Sequence, residues 1–178
     1  KPATVIVKHA NPCGVSTDKS NLASFKKAYS CDPLSAFGGV IACNFKVNKK
    51  IAEEINKNFL EVILAKKFDK NALAILKRKK NLRIIDTSQF KLENITSVKH
   101  FDGSFLIQSK DKIILDKKKL KCVTKIKPSK KEITDIEFAF NVCKHVKSNA
   151  IILSNGTSTI GIGAGQPSRL DSWKIGSQ

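Results

Sequence analysis

The chain has 178 residues, of which 41% are hydrophobic, and its formal net charge is +18 at pH 7. This length and apolar content are enough to bury a core, which excludes a largely disordered chain. No stretch approaches the roughly 18 consecutive apolar residues of a membrane span, and the first residues lack the order of a signal peptide. We therefore expect a cytoplasmic protein that does not associate with membranes.

The counts of Met and Cys add two expectations. The sequence contains no Met, not even at position 1, so we interpret Lys1 as an internal residue of a longer protein. The five Cys residues are isolated along the chain, at positions 13, 31, 43, 122 and 143. Because no C-x-x-C pair occurs, the pattern predicts buried free thiols rather than disulfides or a thiolate zinc site.

The excess of positive charge raises the question of nucleic-acid binding, because clustered Lys and Arg neutralise phosphates. The 33 basic residues include only three Arg, and the Lys residues are spread along the whole chain. Tyr29 and Trp173 are the only Tyr and Trp that could stack on bases. The charge therefore predicts a solvated surface and no nucleic-acid partner.

The first 86 residues alternate between apolar, strand-like runs and helix-like patterns. In chain order the predicted elements are a strand at 3–8, a turn at 11–14, a helix from Asp18 or Ser20 to Tyr29, a strand at 39–43, a helix at 51–58, a strand at 60–65, a helix at 71–79 and a strand at 82–86. Such alternation at short spacing predicts a three-layer α/β fold with a largely parallel sheet.

After residue 86 the regular alternation of strand-like and helix-like patterns ends. Between 87 and 127, the alternating stretches 104–108 and 122–126 predict short antiparallel strands or an excursion between two α/β units. Ser129 and Glu132 then have the spacing of a capping box. Ile133, Ile136, Phe140 and Cys143 share one face of a helix predicted to run to about Lys147.

The last part of the chain has the same order of predicted elements as the first. A strand at 149–153, a tight turn at Asn155-Gly156 and a strand at 159–163 are followed by a helix that begins at 166–169. Both ends of the chain thus carry a strand, a turn that contains Gly and a helix. This order predicts a diverged internal repeat.

Lys8 and His9 are the best candidates for chemistry, because His titrates near neutrality and open α/β sheets form ligand crevices at strand ends. Cys13 lacks a nearby base, which favours a small buried residue over a nucleophile. The H-x-E and P-C-x-x-C pattern of zinc deaminases is absent, and no metal is predicted. The Gly-rich run 161–165 does not fit a dinucleotide fingerprint, but together with Arg169 it could cradle an anion.

Five sequence motifs, taken together, are more specific than any of these residues alone. They are Lys8-His9-Ala10-Asn11-Pro12-Cys13-Gly14, Asp32-Pro33-Leu34-Ser35-Ala36-Phe37-Gly38-Gly39, Leu60-Glu61-Val62-Ile63-Leu64-Ala65, Lys147-Ser148-Asn149-Ala150, and Gly161-Ile162-Gly163-Ala164-Gly165-Gln166-x-Ser168-Arg169. In this order and spacing the chain resembles the formyltransferase part of the bifunctional purine biosynthesis protein family. That family joins an IMP cyclohydrolase to a phosphoribosylaminoimidazolecarboxamide formyltransferase, and the cyclohydrolase domain is expected to be absent here.

The resemblance implies that a formyl group passes from 10-formyltetrahydrofolate to the 5-amino group of 5-aminoimidazole-4-carboxamide ribonucleotide (AICAR), without a metal. It implies proton transfer by His9, stabilisation of the formyl oxyanion or assistance to the leaving folate nitrogen by Lys8, and orientation of the carboxamide and ring by Asn149. The substrate contacts that it implies are Phe37 and Gly38 in the base pocket, Glu61 on the substrate and Arg169 on the nucleotide.

The resemblance also implies a fold of two tandem, zinc-free, cytidine-deaminase-like α/β units. The first would cover 1–127, and the second would begin at about 128 and be truncated at 178. The family's sites lie between two subunits, so we expect a homodimeric full-length protein and an inactive isolated chain. The alternatives are a basic α/β module that binds RNA or an acidic partner, or a different folate- or nucleotide-using transferase on the same scaffold.

Overall fold

A computed structural model describes residues 1–91, 96–111 and 115–178 of the chain. Its strands are β1 Ala3–Lys8, β2 Asn11–Thr17, β3 Gly39–Val47, β4 Leu60–Phe68, β5 Arg83–Asp86, β6 Thr96–Phe101, β7 Ser104–Ser109, β8 Ile151–Asn155 and β9 Ser158–Gly163. Its helices are α1 Asn21–Tyr29, α2 Pro33–Ala36, α3 Lys49–Asn56, α4 Lys70–Leu76, α5 Lys130–Cys143 and α6 Arg169–Gly176, with a 3₁₀ turn at Lys117–Lys119.

Seven strands form one mixed sheet in the order β5-β4-β3-β1-β2-β9-β8. Only β3–β4 and β4–β5 are parallel, while β1–β2, β1–β3, β2–β9 and β8–β9 are antiparallel. The α/β class is confirmed, but the expected largely parallel sheet is wrong. The reason is that β1–β2 and β8–β9 are tight hairpins, and a two-residue connection can join only antiparallel strands.

Helices pack on both faces of this sheet. On one face, the main core is formed by alternate residues of β1, β3 and β4, which pack against α1, α3 and α4; among them Ile6, Ile41 and Ile63 are fully buried. On the other face, α5 places Val142 against Val15 in a second, smaller cluster. The alternation of the strand residues between two helical layers fits the hydrophobic pattern of the sequence.

The helices begin at side-chain caps that the sequence makes recognisable. Ser20, Asn48, Asp69 and Ser168 each accept a hydrogen bond from a backbone N–H of the first turn. Ser129 and Glu132 form the predicted capping box at the start of α5, which is therefore confirmed. α5 ends at Cys143, four residues before the predicted end.

The predicted strands between 87 and 127 have different outcomes. The stretch 104–108 lies in β7, which pairs with β6 in a separate two-stranded sheet. The stretch 122–126 is not a strand, and its apolar side chains Val123 and Ile126 are 93% and 85% exposed. No described strand lies beside this stretch to pair with it, so its alternating pattern has no face to bury.

Similar hairpin and helix units occur near both ends of the chain. β1, β2 and α1 follow in the same order as β8, β9 and α6. In both units a Gly permits close contact between strand and helix: a Cβ on Gly14 would lie 1.9 Å from the carbonyl oxygen of Ala28, and one on Gly163 would lie 1.7 Å from that of Ser172. The order matches the predicted repeat, while the division near residue 128 stays a prediction.

Candidate functional site

Lys8 is the last residue of β1, and its ammonium group is held by a neighbouring turn. Nζ donates to the carbonyl oxygens of Phe37 at 2.7 Å and Gly38 at 3.1 Å. An ammonium group has three N–H donors. Among the residues that the structure describes, Lys8 makes no further hydrogen bond, so its third donor is available to a ligand.

His9 and Ala10 form the turn between β1 and β2. Lys8 pairs with Asn11 across this turn, and the two turn residues have φ angles of 48° and 65°. Positive φ at both central residues is typical of a type I′ hairpin. The predicted turn at 11–14 is therefore wrong, because those residues already belong to β2. The true turn exposes His9 at its tip, directly after Lys8 in the chain.

Phe37 and Gly38 follow the short helix α2, which begins at the Asp32 cap. Gly38 has φ +65°, and a Cβ at this position would lie 3.0 Å from Nζ of Lys8. Its N–H donates to the carbonyl oxygen of Phe59 at 3.0 Å. The Phe37 ring is 64% exposed and packs on the ring of Phe59 with a centroid separation of 5.0 Å. Gly38 is thus needed both for its left-handed backbone and for the room it leaves to Lys8.

A cleft of about 270 Å³ lies beside Lys8 and His9. It is lined by Lys8, His9, Asn11, Pro12, Cys13, Asp32, Ser35, Ile162, Ala164 and Ile175. Desolvation by burial, with the nearby Asp32 carboxylate, raises the pKa of the Cys13 thiol to about 11. A thiol that stays protonated at neutral pH is a poor nucleophile, which agrees with the expected small buried residue.

Asn149 lies close to this hairpin but has most of its hydrogen-bonding capacity in use. Its Nδ2 donates to the carbonyl oxygens of Gln166 at 3.0 Å and Pro167 at 2.7 Å. The backbone N–H of Lys147 donates to Oδ1 of Asn11 at 3.1 Å, which ties this segment to the start of β2. Both amide protons of Asn149 are therefore occupied, and its Oδ1 can serve a ligand only as an acceptor.

Arg169 and Glu61 are exposed, and neither lines the cleft. Arg169 is the first residue of α6, directly after the Ser168 cap. Glu61 lies in β4 next to Leu60, which pairs with Gly39. The structure thus brings Lys8 and His9 together in the cleft and joins Lys8 to Phe37 and Gly38 by hydrogen bonds. The other predicted site residues do not line the cleft: Phe37, Gly38, Asn149, Glu61 and Arg169.

The cleft does not lie at the carboxyl ends of the parallel strands, where open α/β sheets usually bind ligands. The carboxyl end of β1 lies at the edge where the parallel strands β3 and β4 begin, because β1 runs antiparallel to β3. The rule that ligands bind at the carboxyl ends of parallel strands therefore does not locate this site. It is built from a hairpin tip and the turn that precedes β3.

Several residues of the site were not assigned a role from the sequence. Asn11, Asp32 and Ser35 line the cleft, and Phe59 packs on the ring of Phe37. Asn11, Asp32 and Ser35 lie inside the motifs already recognised. The only signal for Phe59 is a large apolar residue directly before the buried strand β4, which does not by itself indicate exposure.

Residues 1–91, 96–111 and 115–178 contain neither a cluster of metal-ligating side chains nor a helix suited to a membrane. No three His, Cys, Asp or Glu side chains come together there as a candidate metal site. No helix in these ranges has the length and apolar character that a bilayer crossing requires.

The fold and the site define an α/β protein with a mixed sheet, in which the Lys8 side chain of a Lys-His hairpin is bound by the Phe37–Gly38 turn. The model of the AICARFT/IMPCHase bienzyme family matches residues 1–178, so the chain belongs to this family. The resemblance inferred from the five motifs is thereby confirmed.

Relatives from several bacteria carry the name bifunctional purine biosynthesis protein PurH. The chain is 48% identical to the protein of Thermoanaerobacter sp., in an alignment that covers 96% of the chain. It is also 48% identical to the protein of Parvibaculum lavamentivorans, with 98% of the chain covered. Identity to the Bacillus cereus protein is 44%, again over 98% of the chain. The chain spans about a third of the length of these relatives: 33%, 33% and 34%.

Proposed function

We propose that this chain supplies part of an AICAR formyltransferase site, in which the 5-amino group of the nucleotide takes a formyl group from 10-formyltetrahydrofolate. The observation that carries the proposal is the placement of Lys8, which donates hydrogen bonds to the Phe37–Gly38 turn and lines a cleft together with His9. Membership of the bienzyme family supports the choice of reaction.

The substrate amine is a poor nucleophile, because its lone pair is delocalised into the imidazole ring and the carboxamide. Removal of its proton and stabilisation of the developing oxyanion must therefore carry the reaction. We assign the proton transfer to His9, whose position at the hairpin tip gives its imidazole access to a bound ligand. The third N–H of Lys8 would donate to the formyl oxygen as negative charge develops on it.

The remaining assignments concern the binding of the nucleotide. Oδ1 of Asn149 would accept a hydrogen bond from an N–H of the substrate, since its Nδ2 is occupied. Phe37 and Gly38 would line the base pocket, and Glu61 and Arg169 would contact the substrate from outside the cleft. Arg169 at the first turn of α6 is suited to an anionic group.

The size of the cleft limits what these residues can hold. A volume of about 270 Å³ is below the roughly 300–1,000 Å³ that is usual for ligand pockets. The cleft therefore fits the reacting end of the two substrates, while the rest of the folate, which supplies the formyl group, would extend beyond it. We propose that residues outside this chain complete the site: the remainder of the second, zinc-free, cytidine-deaminase-like unit, whose start we expect at about residue 128, and a second subunit of a homodimer.

The decisive test is formyl transfer by the full-length product of the gene that encodes this chain. We expect His9→Ala to lower kcat by about 10²–10⁴, as for loss of a general acid or base. Lys8→Ala should lower kcat by about 10²–10³, as for loss of an oxyanion donor. AICAR binding, measured by calorimetry, should be largely retained in both variants.

The chain contains a matched control, because Lys99 and His100 form a second Lys-His dipeptide on the exposed β6–β7 hairpin. Lys99→Ala and His100→Ala should leave kcat within about twofold of wild type, as surface changes usually do. Near-normal turnover in both His9→Ala and Lys8→Ala would reject the assignment. Salt-sensitive binding of generic RNA that is indifferent to His9 would favour the binding module instead.

A further inference from the structure

Phe59 combines an apolar ring with an exposed position at the edge of the candidate site. It directly precedes β4, and 47% of its surface is exposed. Its neighbour Phe37 is 64% exposed. Large apolar rings are usually buried, so two of them in contact at the surface, 5.0 Å apart and tilted by 40°, form a feature that packing of the core does not explain.

Two contacts join Phe59 to the Phe37–Gly38 turn. The carbonyl oxygen of Phe59 accepts the N–H of Gly38 at 3.0 Å. Its ring packs on that of Phe37, and its Cε1 lies 3.4 Å from the position of a Cβ on Gly38. The turn is therefore held to the start of β4 by its backbone and by its side chain.

The same turn fixes Lys8. The two carbonyl oxygens that hold the ammonium group belong to Phe37 and Gly38. A long Lys side chain has several rotatable bonds, so the position of Nζ depends on these two acceptors. Any movement of the turn would move the acceptors and redirect the third N–H of Lys8.

We propose that Phe59 is a positioning residue for Lys8, and that it acts through the ring contact with Phe37 and the Phe37–Gly38 turn. This role rests on the proposed formyl transfer, because it assigns Phe59 to the placement of the oxyanion donor. Phe59 itself does not touch the reacting atoms.

The experiment uses the full-length product of the gene and compares Phe59→Leu with wild type. Leu keeps the backbone carbonyl and most of the apolar volume but removes the ring. We expect kcat to fall about three- to tenfold, which is the loss that corresponds to one aromatic contact. The KM for AICAR should change by less than about twofold, because the group being displaced acts in the transition state.

A double-mutant cycle with Lys8→Ala shows whether Phe59 acts through Lys8. In the Lys8→Ala background, Phe59→Leu should change kcat by less than about twofold, since residues that act through one group are not additive. Phe59→Tyr keeps the ring and should restore kcat to near the wild-type value. Phe90→Leu removes another exposed Phe and should have no effect. Phe90 lies after the carboxyl end of β5, whereas Phe59 lies before the amino end of the neighbouring parallel strand β4.

Each outcome bears on a separate claim. An equal loss in both backgrounds, or a rise in KM at unchanged kcat, would overturn the positioning role while leaving formyl transfer in place. A wild-type protein with no formyl transfer would overturn the proposed function itself. Recovery by Tyr shows that a loss in the Leu variant comes from the ring rather than from misfolding.

Discussion

At the scale of single residues, the hairpin tip carries backbone strain next to the proposed chemistry. His9 and Ala10 have left-handed φ angles, which cost a residue with a Cβ about 1–2 kcal/mol. The flanking strands enforce this geometry, because Lys8 and Asn11 pair directly across the turn. The strain is therefore stabilised by the sheet, and it keeps His9 at the tip instead of in a strand.

Replacing Ala10 tests this strain. Ala10→Gly should raise the free energy of unfolding by about 0.5–1 kcal/mol, since Gly adopts positive φ without steric cost and loses part of the gain to chain entropy. Chemical denaturation of the chain measures this change. The matched control is Ala23→Gly in α1, which should lower stability by about 1 kcal/mol. A loss of stability in both variants would mean that the left-handed turn does not form in solution.

At the scale of elements, α5 supports the second face of the sheet, and its start depends on the capping box. The N–H of Ser129 donates to Oε2 of Glu132 at 2.6 Å, and the N–H of Glu132 donates to Oγ of Ser129 at 3.3 Å. The hydrogen bond from the Ser129 backbone lowers the pKa of Glu132 below its ordinary value of 4.5. Ionised Glu132 is thus linked to the folded helix.

The linkage predicts a dependence on pH with a definite sign. Because the folded pKa is depressed, the contribution of Glu132 is present above about pH 4.5 and is lost as the pH falls through the folded pKa. Glu132→Gln keeps a side chain that can complete the box but cannot ionise. In urea denaturation we expect wild type to be more stable than this variant near neutrality, with the gap closing in acid. A gap that does not change with pH would contradict the linkage.

The elements also show what the sequence could and could not predict. The capping box, the α1 start at Ser20 and the buried runs of β3 and β4 follow from local patterns, and these are confirmed. The parallel pairs β3–β4 and β4–β5 and the β8–β9 hairpin agree with the prediction, whereas the antiparallel pairing of β1 with β2 and β3 was not predicted. A turn of His9 and Ala10 lacks the Gly or Asn that usually marks a type I′ hairpin, so no local signal indicates that β1 and β2 pair.

At the scale of the whole molecule, the two ends of the chain meet at a junction between β2 and β9. The ladder there is short, with Ser16 paired to Ser158, and hydroxyl groups strengthen it. The Oγ atoms of Ser16 and Ser158 are 2.7 Å apart and both residues are buried. Oγ1 of Thr159 accepts the N–H of Val15 at 2.9 Å. Hydrogen bonds from side-chain hydroxyls thus supplement the few backbone hydrogen bonds between β2 and β9.

The buried hydroxyl pair can be tested by a double-mutant cycle. Ser16→Ala and Ser158→Ala should each cost about 1–3 kcal/mol of stability, because each leaves the other hydroxyl buried with one partner fewer. The double variant should cost about 1 kcal/mol less than the sum of the two. Ser30→Ala, at an exposed position after α1, is the control and should change stability by less than about 0.5 kcal/mol. Strict additivity of the two changes would show that the hydroxyls do not interact.

Only site residues that lie within the five motifs could be predicted from the sequence. Lys8 contacts Phe37 and Gly38 because the end of β1 lies beside the turn that precedes β3, while the roles of these residues and of His9 stay predictions. Phe59 lies outside the motifs and could not be predicted from them. Its proposed role depends on the ring contact with Phe37, which the pairing of β3 with β4 brings about. The available acceptor of Asn149 likewise follows from contacts to the backbone around Gln166, which the sequence does not show.

The junction between β2 and β9 has a consequence for the order in which the chain is made. Ser16 and Ser158 are separated by 142 positions, so they belong to the most distant contacts of the fold. A ribosome that adds about 5–20 residues per second needs on the order of 10 seconds to cover this interval. During that time β2 has emerged with one edge unpaired and open to pairing with other strands. Closure of the sheet is therefore a late event in the life of the nascent chain, and it follows the pairing of β1 with β3.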